Sequence, residues 1–321
     1  MAKKRLKKGR VLLAMFVVAG SVFAADNLRR DLLGTEKTNL VVDGSFKNSS
    51  EQRVEKPTED MLNLSNGNEA TTAFQGVQYL GFSELNIPSS QLSSGALVIV
   101  DEEHPAGDVS TSGMVDVFDY KNEYYTLVSD SVVLNENAAD ALNMMMADYH
   151  AATGLTDFIL YGTIETYTGD GSFCPEFFPE SALGTCIDLA VNGYAGVLAY
   201  DGYDEEAWII ENCYKYGFIV RNPKGKEAIT SKQFCPWHLR YVGDVHAAII
   251  EEQSFCLEEY IEFLKGYTFD KPFAYNLNGV SYEIYSIESM GDSTSARVPV
   301  SGNYTISGNN MGGYIITTVK S

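Results

Sequence analysis

The chain of 321 residues is 45% apolar, 12% aromatic and 21% charged, enough to fold one large domain or two modest ones and unlike a collagen, a coiled coil or a polytopic membrane protein. Its 43 acidic and 23 basic side chains leave a net charge of -20. A surface of that sign repels a phosphate backbone, so nucleic acid is excluded as a partner.

At the amino terminus Lys3, Lys4, Arg5, Lys7, Lys8 and Arg10 precede an uncharged apolar run from Val11 to Ala24, which closes on Val22-Phe23-Ala24-Ala25. A basic segment, a short apolar segment and a small-residue exit form the pattern of a secretory signal, here residues 1–25. The run of 14 residues is shorter than the roughly 20 that a membrane-crossing helix needs. Left uncleaved, it would be an N-terminal anchor and the one contact with a membrane. Its removal takes six bases and no acid, leaving -26. The expected address is extracytoplasmic, secreted or associated with the cell envelope.

Residues 26–75 are rich in Asn, Ser, Thr and Glu without a sustained period and read as a polar, disordered linker. A central domain is expected over 76–268. Within it, Ala96-Leu97-Val98-Ile99-Val100 and Tyr124-Tyr125-Thr126-Leu127-Val128 read as strands between acidic and Gly/Pro turns. A helix fits 137–152, with Ala138, Leu142, Met145, Met146 and Tyr149 on one face and Gly154 as its cap; the Met cluster reads as core packing. Phe158-Ile159-Leu160-Tyr161 is a buried strand. A second helix fits 204–216, with Asp204 as N-cap and Gly217 as terminator, followed by the short strand Phe218-Ile219-Val220. Two more helices fit 244–253 and 257–264. From Ala274 onward apolar and polar residues alternate between Gly and Asn turns, so 269–321 is expected to be a β-hairpin extension. Helices and strands mingle without βαβ repetition, which favours an α+β fold.

The five cysteines, Cys174, Cys186, Cys213, Cys235 and Cys256, lie within 83 residues. An exported chain can form disulfides, but the number is odd and no CxxC pair is present, which excludes a zinc ribbon or a thioredoxin-like motif.

The most informative segments are Lys215-Tyr216-Gly217-Phe218-Ile219 and Cys235-Pro236-Trp237-His238-Leu239-Arg240-Tyr241-Val242-Gly243. Together with the 137–152 helix and the chain up to about residue 266, they closely resemble the zinc D-alanyl-D-alanine carboxypeptidases of the VanY type, which trim the terminal D-Ala of peptidoglycan stem peptides. The resemblance implies a fold of the Hedgehog/DD-peptidase type with the β-rich C-terminal part appended. It also implies a peptidoglycan peptide, or another envelope protein, as partner. In that family one zinc is held by a His, an Asp seven positions later and the His of the Pro-Trp-His motif, and a Glu three residues before the last His is the general base. Three ligands leave a coordination position for the attacking water.

Here the first motif corresponds to Pro179-Glu180-Ser181-Ala182-Leu183-Gly184-Thr185-Cys186-Ile187-Asp188. Asp188 and His238 keep two zinc-ligand positions, but the third is Ser181, whose hydroxyl is a short and poor ligand. The base position is Cys235. The family's Ser-Gly-Tyr-Arg-Ser motif, whose Arg pairs with the substrate carboxylate, aligns with Tyr161-Gly162-Thr163-Ile164-Glu165, and Ile164 cannot replace a guanidinium clamp. A general base alone is worth about 100- to 10,000-fold in rate. The expectation is a catalytically degenerate, exported member acting in binding or scaffolding. The alternative is an active metallo-carboxypeptidase with an altered shell, in which Cys235 or Cys186 joins Asp188 and His238 on the metal.

Weaker possibilities complete the reading. Cys186 and Cys235 both sit on motif segments, which allows a disulfide across the former active site. A Cys235 nucleophile served by His238 lacks a group to orient the imidazole. His246 is assigned to packing, His104 and His150 to the surface or a helix end, and Trp208 and Trp237 to the core or the groove wall. Glu176, Glu180, Asp201, Asp204, Glu205 and Glu206 read as a solvated acidic face.

Overall fold

The computed structural model describes residues 81–107, 111–161, 178–193, 196–203, 206–300 and 303–320. The signal or anchor (1–25), the linker (26–75), Ile164, Cys174, Glu176, Asp204 and Glu205 lie outside these residues. In chain order the strands are β1 (Phe82–Pro88), β2 (Met114–Asp116), β3 (Thr126–Leu127), β4 (Val133–Asn135), β5 (Phe158–Tyr161), β6 (Cys186–Gly193) and β7 (Gly196–Ala199). They continue with β8 (Phe218–Asn222), β9 (Cys235–Tyr241), β10 (Phe273–Leu277), β11 (Val280–Glu288), β12 (Ser293–Pro299), β13 (Tyr304–Gly308) and β14 (Gly313–Lys320).

The central sheet has the order β3-β5-β6-β9-β8, with β7 returning on β6 as a hairpin. Its β3-β5 pair is parallel and its other pairs are antiparallel. Side chains alternate across a strand, and here the alternation divides two interiors. Ile187, Leu189, Leu239 and Tyr241 point into one core with Phe158, Leu160 and the Glu136–Thr153 helix. That helix occupies the 137–152 region read from its periodicity. It starts on Asn135, whose side chain accepts from Asn137 N–H, and ends on Gly154 at φ 78°. Met145 and Met146 are buried in this core, as expected of gap-filling side chains.

The other face of the sheet meets a second core, in which Ile219 and Val242 pack with Ile249, Ile250, Leu257, Tyr260 and Ile261 of the Asp244–Gln253 and Leu257–Leu264 helices. Both helices fall where the sequence places them. The 204–216 helix instead divides into Ala207–Asn212 and a 3-10 turn, Cys213–Tyr216, that stops at Gly217. Among the described residues no helix is long and apolar enough to cross a membrane.

The run 96–100 corrects the sequence reading. All five residues are buried, but they form a strap outside any ladder. Strap amides bond to Ser307 Oγ and the Asn309 carbonyl, and strap carbonyls accept from Arg240 and Asn310 side chains. Apolar, β-branched composition reports burial. It does not report which groups satisfy the backbone.

Among the described residues after 272 the secondary-structure elements are all strands joined by turns, the β-rich part read from the sequence. β10-β11-β14-β13 form one antiparallel sheet, and β12 pairs with β1 over Phe82–Pro88 and Ser293–Pro299. Ile284 and Ile315 of this part enter the second core beside Leu97 and Ile99 of the strap.

Candidate functional site

The face of the sheet turned toward the second core carries a polar cluster. The β6-β9 register sets Asp188 opposite His238 and Cys186 opposite Arg240, and a period of two puts all four side chains on that face. Glu180 is delivered from a 3-10 turn, Pro179–Leu183, that begins on Pro179 and ends at Gly184 with φ 68°. An L side chain rarely adopts that backbone, and a Cβ there would also press on the Met114 side chain. The glycine thus lets the chain reverse tightly from the Glu180 turn into β6.

His238 Nδ1 lies 2.6 Å from Asp188 Oδ1 and its Nε2 3.3 Å from Glu180 Oε1. The ring of Phe178 stacks on the imidazole at 3.9 Å and 13°. Glu180 Oε2 accepts from Arg221 Nε at 2.9 Å and from Arg240 Nη1 at 3.1 Å. Arg221 then grips Glu258 with two nitrogens, at 2.6 and 3.1 Å, the planar fork that a carboxylate fits. Arg240 Nη2 donates to the Ala96 and Val98 carbonyls at 3.0 and 3.4 Å. Cys186 Sγ lies 3.5 Å from the Glu180 carbonyl oxygen and 3.9 Å from Arg240 Nη1.

Burial and charge oppose each other throughout this cluster. Burial alone would raise the Glu180 carboxyl, but Arg221, then His238 and Arg240, hold it well below the usual carboxylate range. Burial would lower the Arg221 guanidinium, and Glu180 and Glu258 raise it instead. For His238 burial again works downward, and Asp188, with Cys186 and Glu180, outweighs it and lifts the imidazole well above its ordinary value.

The residues read from the sequence are thus partly brought together. Asp188 and His238 touch. Ser181 is 1% exposed, and among the described residues its Oγ has no hydrogen-bond partner, like Asp188 Oδ2. Cys235 stands apart, its thiol toward the Gln233 carbonyl at 3.2 Å, and it is absent from the metal-capable group found around His238 among the described residues. It neither completes a metal shell nor faces His238 as a nucleophile. The disulfide is corrected too: Cys186 carries no bridge. Cys186 faces Arg240 across the ladder. Cys235 lies five residues further along that strand, roughly 17 Å, whereas a bridge needs Cα atoms about 4.4–6.8 Å apart.

Glu180 is a further correction. It is 3% exposed and forms the hub of the cluster, not part of a solvated acidic face. Its partners are 41 and 60 residues away in the chain, so local charge density misplaced it. The missed signal was the presence of Arg221 and Arg240 on strands flanking the motif. Elsewhere His150 caps its helix end and stacks on Tyr124, His104 bonds to exposed Asp101, and Trp208 and Trp237 pack against the first core.

The zinc shell implied by the resemblance does not fit these residues. The third ligand position offers a hydroxyl, and the base position a thiol turned elsewhere.

The architecture, helices on both faces of a mostly antiparallel mixed sheet, is of the α+β class. Residues 180–244 match the VanY family model, D-alanyl-D-alanine carboxypeptidase. The chain is 29% identical over 245 residues to a D-alanyl-D-alanine carboxypeptidase of Enterococcus faecium, covering 73% of this chain and 78% of that one. It is 31% identical over 137 residues to the enzyme of the same name from Enterococcus faecalis, covering 43% of this chain and 47% of the relative, so it spans less than half of that protein. Among solved structures it is similar to the vancomycin resistance D,D-dipeptidase VanXYg, crystallised with a D-Ala-D-Ala phosphinate analogue. That likeness has a TM-score of 0.62 at 24% identity, over 74% of this chain and 99% of the other. The resemblance to VanY-type D-alanyl-D-alanine carboxypeptidases is therefore shown, and the fold is theirs.

Proposed function

We propose that this chain is a non-catalytic, exported relative of the D-alanyl-D-alanine carboxypeptidases that acts at the cell envelope by docking a peptidoglycan peptide or an envelope protein. The observation that carries the reading is Ser181 at the third ligand position, its hydroxyl buried and without a hydrogen-bond partner among the described residues. Where a hydrolase needs a third ligand and a water, this chain has a buried hydrogen bond with an aromatic ring stacked over it. The base position, Cys235, and the carboxylate-clamp position, Ile164, support it from the sequence. Export follows from the basic and apolar leader and agrees with a wall ligand.

Incubation of the purified protein with a pentapeptide ending in D-Ala-D-Ala tests the proposal. No D-Ala is released, with or without added zinc. The variant Ser181→His/Cys235→Glu gains zinc affinity at the family position, and turnover appears only when Ile164→Arg is added. Chelator-sensitive release of D-Ala by the unmodified chain would overturn the non-catalytic reading.

A further inference from the structure

The carboxyl-terminal sheet has one covered edge and one bare one. At β13 the Gly308 amide donates to the Ser94 carbonyl, whereas β10, at the other end of the order β10-β11-β14-β13, has no further strand beside it among the described residues. We propose that β10 is a homodimerisation edge: two copies of this chain pair antiparallel through Phe273–Leu277, about a two-fold axis at Tyr275, and join their sheets into one.

The hairpin decides which backbone groups of β10 are turned outward. Asn278 and Gly279, at φ 53° and 85°, form the turn between β10 and β11. A turn with both central residues at positive φ is the type I′ hairpin, whose closing pair, here Leu277 and Val280, exchanges hydrogen bonds. Alternation then turns the amides and carbonyls of Phe273, Tyr275 and Leu277 toward β11 and those of Ala274 and Asn276 outward. Ala274 and Asn276 are exposed, and among the described residues no backbone group bonds to theirs on that side.

This edge is its own complement. With Tyr275 facing the partner's Tyr275, Ala274 falls opposite the partner's Asn276 and Asn276 opposite the partner's Ala274, so every outward amide meets an outward carbonyl. Beyond the strand the same register sets Lys271 against the partner's Gly279 and Asp270 against the partner's Val280, and opposes no like charges. Phe273–Leu277 also lacks the devices that guard an edge: it has no charge, no Pro, no Gly and no bulge. Phe273, Tyr275 and Leu277 pack on the second core yet are only half-buried. The Phe273 ring lies 5.2 Å from that of Phe263 and 5.1 Å from that of Tyr267. A second strand would complete the cover of this aromatic row, the kind of surface that contributes most to an interface. Two copies that each carry -20 repel at long range, so the pairing tightens as salt is raised.

Sedimentation equilibrium of the purified protein tests the pairing and is independent of D-Ala release. A monomer–dimer equilibrium is expected, with a dimer fraction that grows with protein concentration and with salt. Ala274→Pro removes half of the outward donors at a position where an edge strand tolerates proline. It is expected to be monomeric at the same concentrations with an unchanged far-UV spectrum. Facing residues of a non-hydrogen-bonded pair have Cα atoms about 4.5 Å apart, within disulfide reach. In a Cys174→Ser background, Tyr275→Cys is therefore expected to give a disulfide-linked dimer on oxidation with diamide, and Val280→Cys, exposed at the far side of the hairpin turn, to stay monomeric. Monomer at every concentration would overturn the proposal and leave the edge to a foreign strand. A dimer that dissolves as salt is raised, one undiminished by Ala274→Pro, or equal cross-linking of the two cysteine variants would each overturn it as well. The concentration and salt series needs no variant and stands even where Ala274→Pro does not fold.

Discussion

Arg240 shows how one side chain can join parts of the molecule distant in sequence. Its guanidinium binds Glu180 and two strap carbonyls while wholly buried. Arg240→Met leaves Glu180 with one guanidinium and strands the Ala96 and Val98 carbonyls, so unfolding in urea is expected to show a loss of roughly 3–5 kcal/mol. Arg240→Lys recovers little, since an ammonium lacks the planar fork that spans these acceptors. The motif made Asp188 and His238 legible from the sequence. It left the Glu180 hub hidden, because an ion pair across 60 residues leaves no periodic trace. His246 supplies a separate residue-scale prediction. It is buried between Tyr260 Oη at 2.7 Å and Thr317 Oγ1 at 3.1 Å, and burial pushes its imidazole down to about 3. The unfolded chain therefore takes up a proton near pH 6.5 that the folded chain refuses. Stability is unaffected above that pH and falls as pH drops from about 6.5 toward 3, by roughly 2–3 kcal/mol at pH 4.5. Replacing His246 with Gln is expected to flatten that part of the pH profile of the urea midpoint; an unchanged slope would refute the assignment.

Among the elements, the 3-10 turn Ser89–Ser93, which leads into the strap, interlocks with the end of β13 and the residues after it. Gly308 N–H donates to the Ser94 carbonyl at 2.8 Å and Asn310 N–H to that of Leu92 at 2.8 Å. A Cβ at Gly308 would overlap the Leu92 and Gln91 carbonyl oxygens. Gly308→Ala must push the Ser89–Ser93 turn away from β13 and disturb the strap that follows it, an overpacking cost of roughly 1–3 kcal/mol. Hydrogen exchange locates it: the Leu97 and Ile99 amides, bonded to Ser307 Oγ and the Asn309 carbonyl, should exchange faster, with the Glu136–Thr153 helix unchanged. Helices were the readable elements because their faces and stops are local, as with Asn135 and Gly154 or Cys256 and Glu259. The strap was unreadable as such because its partners, Ser307 and Arg240, lie 210 and more than 140 residues away.

For the whole molecule, the carboxyl-terminal strands are part of the load the second core shares. Ile284 and Ile315 meet Leu97, Ile99 and Ile219 there, and β12 is the partner along β1. A chain ending at residue 272 would uncover those side chains and leave β1 unpaired, so it is expected to be aggregated or to lack a cooperative thermal transition by circular dichroism. A soluble, cooperatively melting product would show that the central sheet stands alone. The buried thiols have a consequence for following such openings. Cys186, Cys213, Cys235 and Cys256 are all buried, and burial pushes the Cys213 and Cys256 thiols up to about 12. In a Cys174→Ser background an alkylating reagent should find almost nothing to modify until some region opens. Each sulfur then acts as a clock for its own neighbourhood: Cys213 for the first core, Cys256 for the start of the last helix, and Cys186 for the ion cluster. The order in which mass increments appear would rank how often each part of the protein breathes.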